Sequence, residues 1–420
     1  MVVTYIVTGL GFMLLPGTFL GVWNLISISG KQASSSASTA WIQAHGQAQV
    51  FGWIGTFILG IGFYSIPKMR RAQPFAMWEA WVCWAMWTAG VGLRWVAAVY
   101  SFHWRTILPI SAALQLLAFL IFFRAVSSHR PAGGSASAKF ETWILVVIAG
   151  TAGLLATLIM NLAASIAAAL GGTSPTFPQG LDQRFLALMA WGFMVPFVWG
   201  FSARWLPTFL GLSSASQRGL LLLIGINATA VVLVMLGAAR TASVLFVAVT
   251  VLSSIVLKLT VPTVRPAKVQ AIHSSFPYFV RLAYLWLIIA ALLGVWAAFA
   301  RHSDGIWGAS RHALTVGFVA TMVFAIGQRV LPAFSGMRLL YSPKLMGCDL
   351  GLLALGCFMR VTSEVLAYQG IAQSAWKVLP ISAVIELTAV TLFAVNMIAT
   401  FLSAPPSRFV QISQRPHSIS

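Results

Sequence analysis

Long apolar runs, separated by short polar or charged breaks, fill almost the whole chain. There are twelve, at about 4–26, 41–66, 78–100, 105–125, 141–169, 184–210, 217–237, 241–262, 277–300, 309–333, 345–368 and 378–403. About 20 apolar residues are enough for a helix to cross a hydrocarbon core of about 30 Å. The pattern predicts an all-α, polytopic transmembrane protein with one twelve-helix domain over residues 1–402 and a polar tail at 403–420.

The composition points the same way. Of the 420 residues, 59% are hydrophobic and 8% are charged, and the mean hydropathy is +0.88. Soluble domains carry about 25% charged residues. The net charge of +19 is spread over the ends of the apolar runs rather than gathered in a basic arm, so we expect no nucleic-acid partner.

The basic residues predict the topology. Loops and span ends that follow even-numbered spans, together with the tail, hold 17 of the 26 Lys and Arg residues, whereas those after odd-numbered spans hold seven. Positive residues keep loops on the cytoplasmic side. We therefore expect a bacterial inner-membrane protein with both termini in the cytoplasm, whose spans 2 and 10 begin at the outer face.

Three stretches of the chain resemble one another at fixed offsets. Span 2 and span 10 share three positions 265 residues apart, namely Gly52 and Gly317, Gly62 and Gly327, and Pro67 and Pro332. The end of span 6, Arg204-Trp-Leu-Pro207, matches the end of span 10, Arg329-Val-Leu-Pro332. These spacings predict three quasi-repeated four-helix units, at about 1–140, 141–265 and 266–402.

Four histidines fall on the predicted outer side: His45, His103, His302 and His312. A histidine inside a span is costly enough that a functional role is the default hypothesis. His45 and His312 lie near the starts of the matched spans 2 and 10, and neutral imidazole is a common metal ligand. The pair predicts a shared haem b iron, and the alternative is a hydrogen bond between helices. The three cysteines lack C-x-x-C spacing, so zinc or a disulfide is not expected.

The register of the pair is imperfect. Gln47, rather than His45, stands 265 residues before His312, and two residues turn a helix face by about 200°. A bulge or 3₁₀ turn near Gly46 would correct this. Gln49 is one turn beyond His45, so we expect it to support the imidazole ring through a hydrogen bond.

Two arginines lie inside predicted spans and need anionic partners. They are Arg94 in span 3 and Arg360 in span 11, each preceded by a glycine four residues earlier. Guanidinium groups suit carboxylates, so one or both are predicted to bind haem propionates. A structural ion pair is the alternative. Glu364 is one turn from Arg360, whereas Arg94 has no acid within a turn on its own helix.

Intramembrane carboxylates are scarce. Late spans contain only Asp349, Glu364 and Glu386, and no chain of acids crosses the membrane. A proton pump or ion-coupled carrier therefore lacks its usual relay.

His45 with Phe51-Gly52, and His312-Ala-Leu-Thr-Val-Gly317 followed by Arg329, resemble motifs of the NnrS family of haem- and copper-associated bacterial membrane proteins. The family's first motif usually has a second histidine, where this chain has Gln47. The resemblance implies haem, copper and a role in nitric oxide metabolism, denitrification or nitrosative stress. His103 and His302 are the remaining candidate metal ligands.

The twelve-span pattern also resembles subunit I of haem-copper oxidases, in which histidines on helices 2 and 10 bind the low-spin haem. Span 6 lacks a His-x-x-x-Tyr motif and span 7 lacks a histidine pair, so the oxidase copper site is not expected. Together, the resemblances to the NnrS family and to the oxidases imply binding or redox turnover of nitric oxide or its iron complexes, or electron transfer with a redox partner. A cofactor-free small-molecule transporter and a non-catalytic haem sensor or assembly protein stay open as alternatives.

Overall fold

The structure is a computed structural model and describes residues 1–70, 73, 75–128, 141–300 and 304–404. Among these, twelve helices are long and apolar enough to span a membrane, which confirms the prediction of an all-α polytopic protein. They are, from span 1 to span 12, Val2–Lys31, Thr39–Lys68, Met77–Tyr100, Trp104–Ser128, Thr142–Gly171, Gln179–Phe209, Gln217–Met235, Ala239–Val256, Phe276–Phe299, Gly305–Phe334, Pro343–Tyr368 and Ala375–Leu402. Nearly all of the predicted tail, residues 405–420, lies outside the described residues.

Several predicted span ends differ from the structure by up to six residues, and those in spans 6 and 8 are informative. Span 6 begins at Gln179 rather than at 184, which brings Asp182 into its first turn, where an acid complements the helix dipole. Span 8 ends at Val256 rather than at 262, and Lys258 then turns the chain with φ +60°. Leu257 and Leu259 are nevertheless buried. The apolar residues after Val256 are thus buried in a turn that packs against the bundle, so their hydrophobicity does not require a longer helix.

Spans 2, 6 and 10 are the central helices of the bundle. Buried residues make up 72%, 67% and 61% of their most apolar stretches, against 28–50% in the other nine spans. At mid-depth, the ring of Trp53 on span 2 lies 6.0 Å from Phe324 on span 10, which stacks at 3.9 Å on Phe393 of span 12. The three spans that the sequence relates to one another are thus those that form the core.

Each central span contains a π-helical segment, and span 1 contains another at Met13–Phe19. Those in the central spans are Ala48–Gly55 in span 2, Leu188–Met194 in span 6 and Ala313–Ala320 in span 10. Their first residues are separated by the offsets, 265 and 125 residues, that separate Pro67, Pro207 and Pro332. π-Helical turns are rare and often occur at functional sites. Their matched positions support the predicted repeat, and the grouping into three four-helix units stays a prediction.

The residues at the ends of these segments explain why the wider turn forms there. Thr56 and Thr321 donate their hydroxyl hydrogens to carbonyls five residues earlier, those of Phe51 at 3.4 Å and Val316 at 3.2 Å. At the matching position of span 6 stands Pro196, which has no backbone N–H to place in the helix ladder. A side-chain donor or a missing backbone donor thus accompanies each break in the α-helical pattern.

Candidate functional site

His45 lies two turns into span 2 and faces span 1. Its Nδ1 is 2.8 Å from the carbonyl oxygen of Gly17, and its ring packs against Gly21. A Cβ built on Gly21 would be 2.7 Å from the ring Cε1. Span 1 therefore needs a glycine at this position for the imidazole to take its place beside it.

His312 is the last residue before the π segment of span 10. Its Nδ1 is 2.9 Å from the carbonyl oxygen of Gly308 and 3.3 Å from Oε2 of Glu364 on span 11. Its side chain keeps 27% of its surface accessible, although span 10 is a central helix. The ring is thus held on one edge and open on the other.

The two histidines share one arrangement of ring nitrogens. A carbonyl oxygen can only accept a hydrogen bond, so Nδ1 carries the proton in both rings when they are neutral. Nε2 then has a free lone pair, and among the described residues neither Nε2 has a hydrogen-bond partner. Donation from one ring nitrogen to a carbonyl or carboxylate is how proteins orient metal-binding histidines. The geometry suits both residues to bind a metal through Nε2.

Charged residues of span 11 lie near both histidines. His312 and Arg360 are both close enough to His45 to act on its ring electrostatically. Arg360 places its Nε 3.5 Å from Oε2 of Glu364, which confirms the ion pair considered from the sequence. Its Nη1 is buried and has no hydrogen-bond partner among the described residues. Arg360 thus keeps a free donor beside the two histidines, where a further anionic group would bind.

Two acids complete this cluster. Glu364 forms ion pairs through Oε2 with both His312 and Arg360, and a Cβ at Gly308 would overlap its carboxylate. Glu386 on span 12 packs against Gly356 and lies within electrostatic range of His312 and Arg360. Spans 2, 10, 11 and 12 therefore meet in a group of charges of both signs around the imidazoles.

Arg94 occupies a different environment. It is 1% exposed, donates to the Ser165 hydroxyl at 3.2 Å and lies 4.6 Å from the centre of the Phe177 ring. Its electrostatic partner is Asp182 in the first turn of span 6, which also interacts with Arg311. The acid absent from its own helix is thus supplied by a neighbouring helix. Arg94 therefore interacts electrostatically with Asp182 of span 6, whereas Arg360 lies beside the two histidines.

The predicted support of His45 by Gln49 is wrong. Gln49 donates to the Thr18 hydroxyl at 2.9 Å, while the His45 ring binds Gly17. The expected correction near Gly46 is also absent, since residues 39–47 form a regular α-helix and the π segment begins only at Ala48. Two adjacent residues of span 1 provide these separate partners, the carbonyl of Gly17 for His45 and the hydroxyl of Thr18 for Gln49.

Gln47, and not His45, is the residue that stands 265 positions before His312. It is buried and lies 3.4 Å from Oδ1 of Asn161, whose own amide is 3.4 Å from Gln115. The residue that matches His312 by offset thus faces spans 4 and 5, and His45 takes the face toward span 1.

The other outer histidines lie apart from this site or outside the description. His103 is exposed in the turn between spans 3 and 4, with its ring against Phe102. His302 falls outside the described residues. Within the part of the chain that the structure describes, no group of three or more His, Cys, Asp or Glu residues could hold a metal ion.

Several contributors to the site were not predicted from the sequence. Gly17, Gly21 and Gly308 act through a carbonyl or through the space they leave, and Asp182 acts from a helix end. The available signal was glycine at short spacing, with Gly17 and Gly21 four residues apart on span 1 and Gly305 and Gly308 three residues apart just before His312. Glycine is common in membrane spans, so that signal alone does not select them.

Comparison with known proteins places the fold. The chain is similar to a solved structure titled "Cryo-EM structure of a heme-copper terminal oxidase dimer provides insights into its catalytic mechanism", with a TM-score of 0.58 and 13% sequence identity, over 96% of this chain and 85% of that one. At this identity the likeness shows the fold alone. The protein is thus a multi-pass membrane protein with the fold of a haem-copper oxidase subunit, as the twelve-span pattern predicted.

Sequence comparison adds little about function. Residues 211–402 match the model of a family described as a domain of unknown function, DUF8744, which covers fewer than half of the residues. No curated protein matches the chain. Any statement about activity therefore depends on the chemistry of the site.

Proposed function

We propose that the protein binds a b-type haem between His45 and His312 and acts in nitric oxide metabolism or in resistance to nitrosative stress, as an NnrS-type protein. The observation that carries the proposal is the matched state of the two rings. Each holds Nδ1 against a backbone carbonyl, at 2.8 Å and 2.9 Å, and leaves Nε2 free. The two residues lie at the starts of two central helices, within electrostatic range of each other.

The surrounding residues fit such a group. Two neutral imidazoles are ligands suited to haem iron. Gly21 leaves room for the His45 ring, and the Gly308 carbonyl orients His312 by accepting from Nδ1, with Glu364 as a nearby counter-charge. The buried, unpartnered Nη1 of Arg360 is a donor for a propionate carboxylate. Arg94 also has buried donors without a partner, Nε and Nη2, but only Arg360 acts electrostatically on the His45 ring, so Arg94 is the second candidate for that role.

Haem iron held by both imidazoles would supply one-electron exchange with a redox partner, and iron held by only one of them would supply reversible binding of nitric oxide. The chain's own residues hold the two rings and balance the charge beside them. Copper is proposed from the resemblance to the NnrS family alone, with His103 and His302 as candidate ligands.

We further propose a bacterial inner-membrane location with the histidine pair toward the outer face, from the distribution of basic residues.

The direct test is a visible absorption spectrum of the purified protein, oxidised and dithionite-reduced. Wild type, His45→Ala, His312→Ala and, as a matched control, His103→Ala are compared. We expect a sharp reduced α-band in wild type and His103→Ala, and its loss in both span variants. A band that survives His45→Ala would instead direct the search to another residue at that end.

The alternatives separate on the same samples. A cofactor-free transporter predicts colourless protein in every variant and transport that survives His312→Ala. A haem sensor or assembly protein predicts the α-band with no consumption of nitric oxide. An electrode measurement of nitric oxide added to the reduced protein, with His312→Ala as the blank, distinguishes a sensor from a protein that turns the gas over.

A further inference from the structure

A second buried polar cluster lies at the opposite end of the bundle from the histidines. Gln328 on span 10, Asp349 on span 11 and Asn396 on span 12 are each 0% exposed. The side-chain amide of Gln328 donates to Oδ1 of Asp349 at 3.2 Å. The side-chain amide of Asn396 donates to the side-chain oxygen Oε1 of Gln328 at 2.6 Å. Three helices thus converge on one carboxyl group.

Asp349 has no counter-charge. Its Oδ2 is buried and has no hydrogen-bond partner, and no Lys, Arg or His among the described residues forms an ion pair with it. The basic residue next to Gln328, Arg329, instead lies 4.2 Å from the Phe209 ring. His273 packs against Gly347 and bonds to a serine of its own loop. A buried carboxylate without a cation is too costly to persist, so the group must hold a proton.

The acid is buried but not deep. It is six residues beyond Pro343, the first residue of span 11, which places it about 9 Å along the helix at 1.5 Å per residue. Asn396 bonds both the N–H and the carbonyl of Ser342 at 3.0 Å, and Thr400 accepts from the N–H of Tyr341. Tyr341 is 60% exposed. Polar groups therefore continue from the acid to the surface loop between spans 10 and 11.

We propose that Asp349 is a proton-binding site that exchanges with water on the side of the loop between spans 10 and 11. The exchange breaks the Oδ2–H bond and passes the proton to a water molecule, with no change of oxidation state. The Gln328 amide holds the carboxyl in place and Asn396 in turn holds Gln328, while water carries the proton. This site is separate from the histidine pair and does not require haem.

Glu364 provides the internal contrast. It is also buried, but His312 and Arg360 lie 3.3 Å and 3.5 Å from its Oε2, so it is a paired carboxylate. The two acids of span 11 are thus expected in opposite protonation states. One acid does not make a relay across the membrane, so the absence of a chain of acids in the sequence is consistent with a local site.

Infrared spectroscopy tests the proposal. The protonated carboxyl C=O band, which is distinct from carboxylate absorption, is recorded for wild type and Asp349→Asn in H₂O and D₂O. We expect a wild-type band that shifts in D₂O and is lost in Asp349→Asn, which keeps an oxygen for Gln328. Glu79→Gln removes an acid paired with Arg124 at 2.9 Å and should leave the band unchanged.

The result that overturns the proposal is the absence of the band, or a band that fails to shift in D₂O, which would indicate a sealed structural acid. If Asp349→Asn does not fold, wild-type protein is treated with dicyclohexylcarbodiimide, which reacts with protonated carboxyls in apolar surroundings. Mass spectrometry should find the adduct on Asp349 and not on Glu364. An adduct on Glu364 instead, or on neither, contradicts the proposal.

Discussion

At the scale of single residues, the histidine site depends on backbone as much as on side chains. The carbonyls of Gly17 and Gly308 fix the two rings, and the missing Cβ atoms of Gly21 and Gly308 leave room for the His45 ring and for the Glu364 carboxylate. Such contacts require glycine because the partner approaches the main chain itself. Substitutions far smaller than removal of a histidine should therefore affect the site.

Gly21→Ala is the test at this scale. The added Cβ would meet the His45 ring at 2.7 Å, so the ring must move, and overpacking of this kind costs about 1–3 kcal/mol. We expect lower thermal stability in detergent and a weaker or shifted haem band. Gly11→Ala on the same span has nothing within 4 Å of its Cβ and should be neutral or slightly stabilising. Equal behaviour of the two variants would contradict this account.

At the scale of helices, close approach of backbones shapes the core. Gly153 on span 5 faces Gly192 in the π segment of span 6, and a Cβ at Gly153 would overlap the Gly192 carbonyl. Small residues allow such contact between membrane helices. The π segment and the glycine act together, because the widened turn of span 6 lies where span 5 comes nearest.

Gly153→Ala should therefore separate spans 5 and 6. Backbone atoms cannot rotate away as a side chain can, so we expect a destabilisation of about 1–3 kcal/mol or more. Thermal unfolding in detergent, followed by tryptophan fluorescence, measures it. Gly225→Ala on span 7, with nothing within 4 Å, is the matched control. A melting temperature unchanged from wild type would show that the two helices do not approach as closely as the structure indicates.

At the scale of the whole molecule, the distribution of charge predicts how the bundle is oriented in the membrane. Basic residues favour the loops after even-numbered spans, and the histidine pair lies at the opposite end. The potential around a redox or gas-binding centre depends on which side of the membrane it faces. The predicted orientation places the pair on the outer side and Asp349 on the cytoplasmic side.

Cysteine labelling of intact cells tests this orientation. In a Cys348→Ser background, Ser101→Cys between spans 3 and 4 should react with a membrane-impermeant maleimide, whereas Ser214→Cys between spans 6 and 7 should react only after the cells are opened. Both serines are exposed in loops at opposite ends of the bundle. The reverse pattern of labelling would invert the assignment of sides.

Much of the protein follows from its sequence because apolar length and periodicity act locally. The twelve spans, the matching offsets of spans 2, 6 and 10, and the pairing of Arg360 with Glu364 are all local or repeated patterns, and the structure contains each of them. A helix that crosses a bilayer must satisfy its own backbone hydrogen bonds, so the start and end of each span depend on a run of consecutive residues.

The tertiary structure alone decided which faces meet. It directed His45 to span 1 and Gln49 to Thr18, gave Arg94 its counter-charge from Asp182, and left Asp349 without one. These outcomes depend on the rotation and separation of helices whose contacting residues are 28 positions apart for Gly17 and His45 and 31 apart for Thr18 and Gln49. Such packing is set by the shapes of all twelve helices together, and no local pattern encodes it.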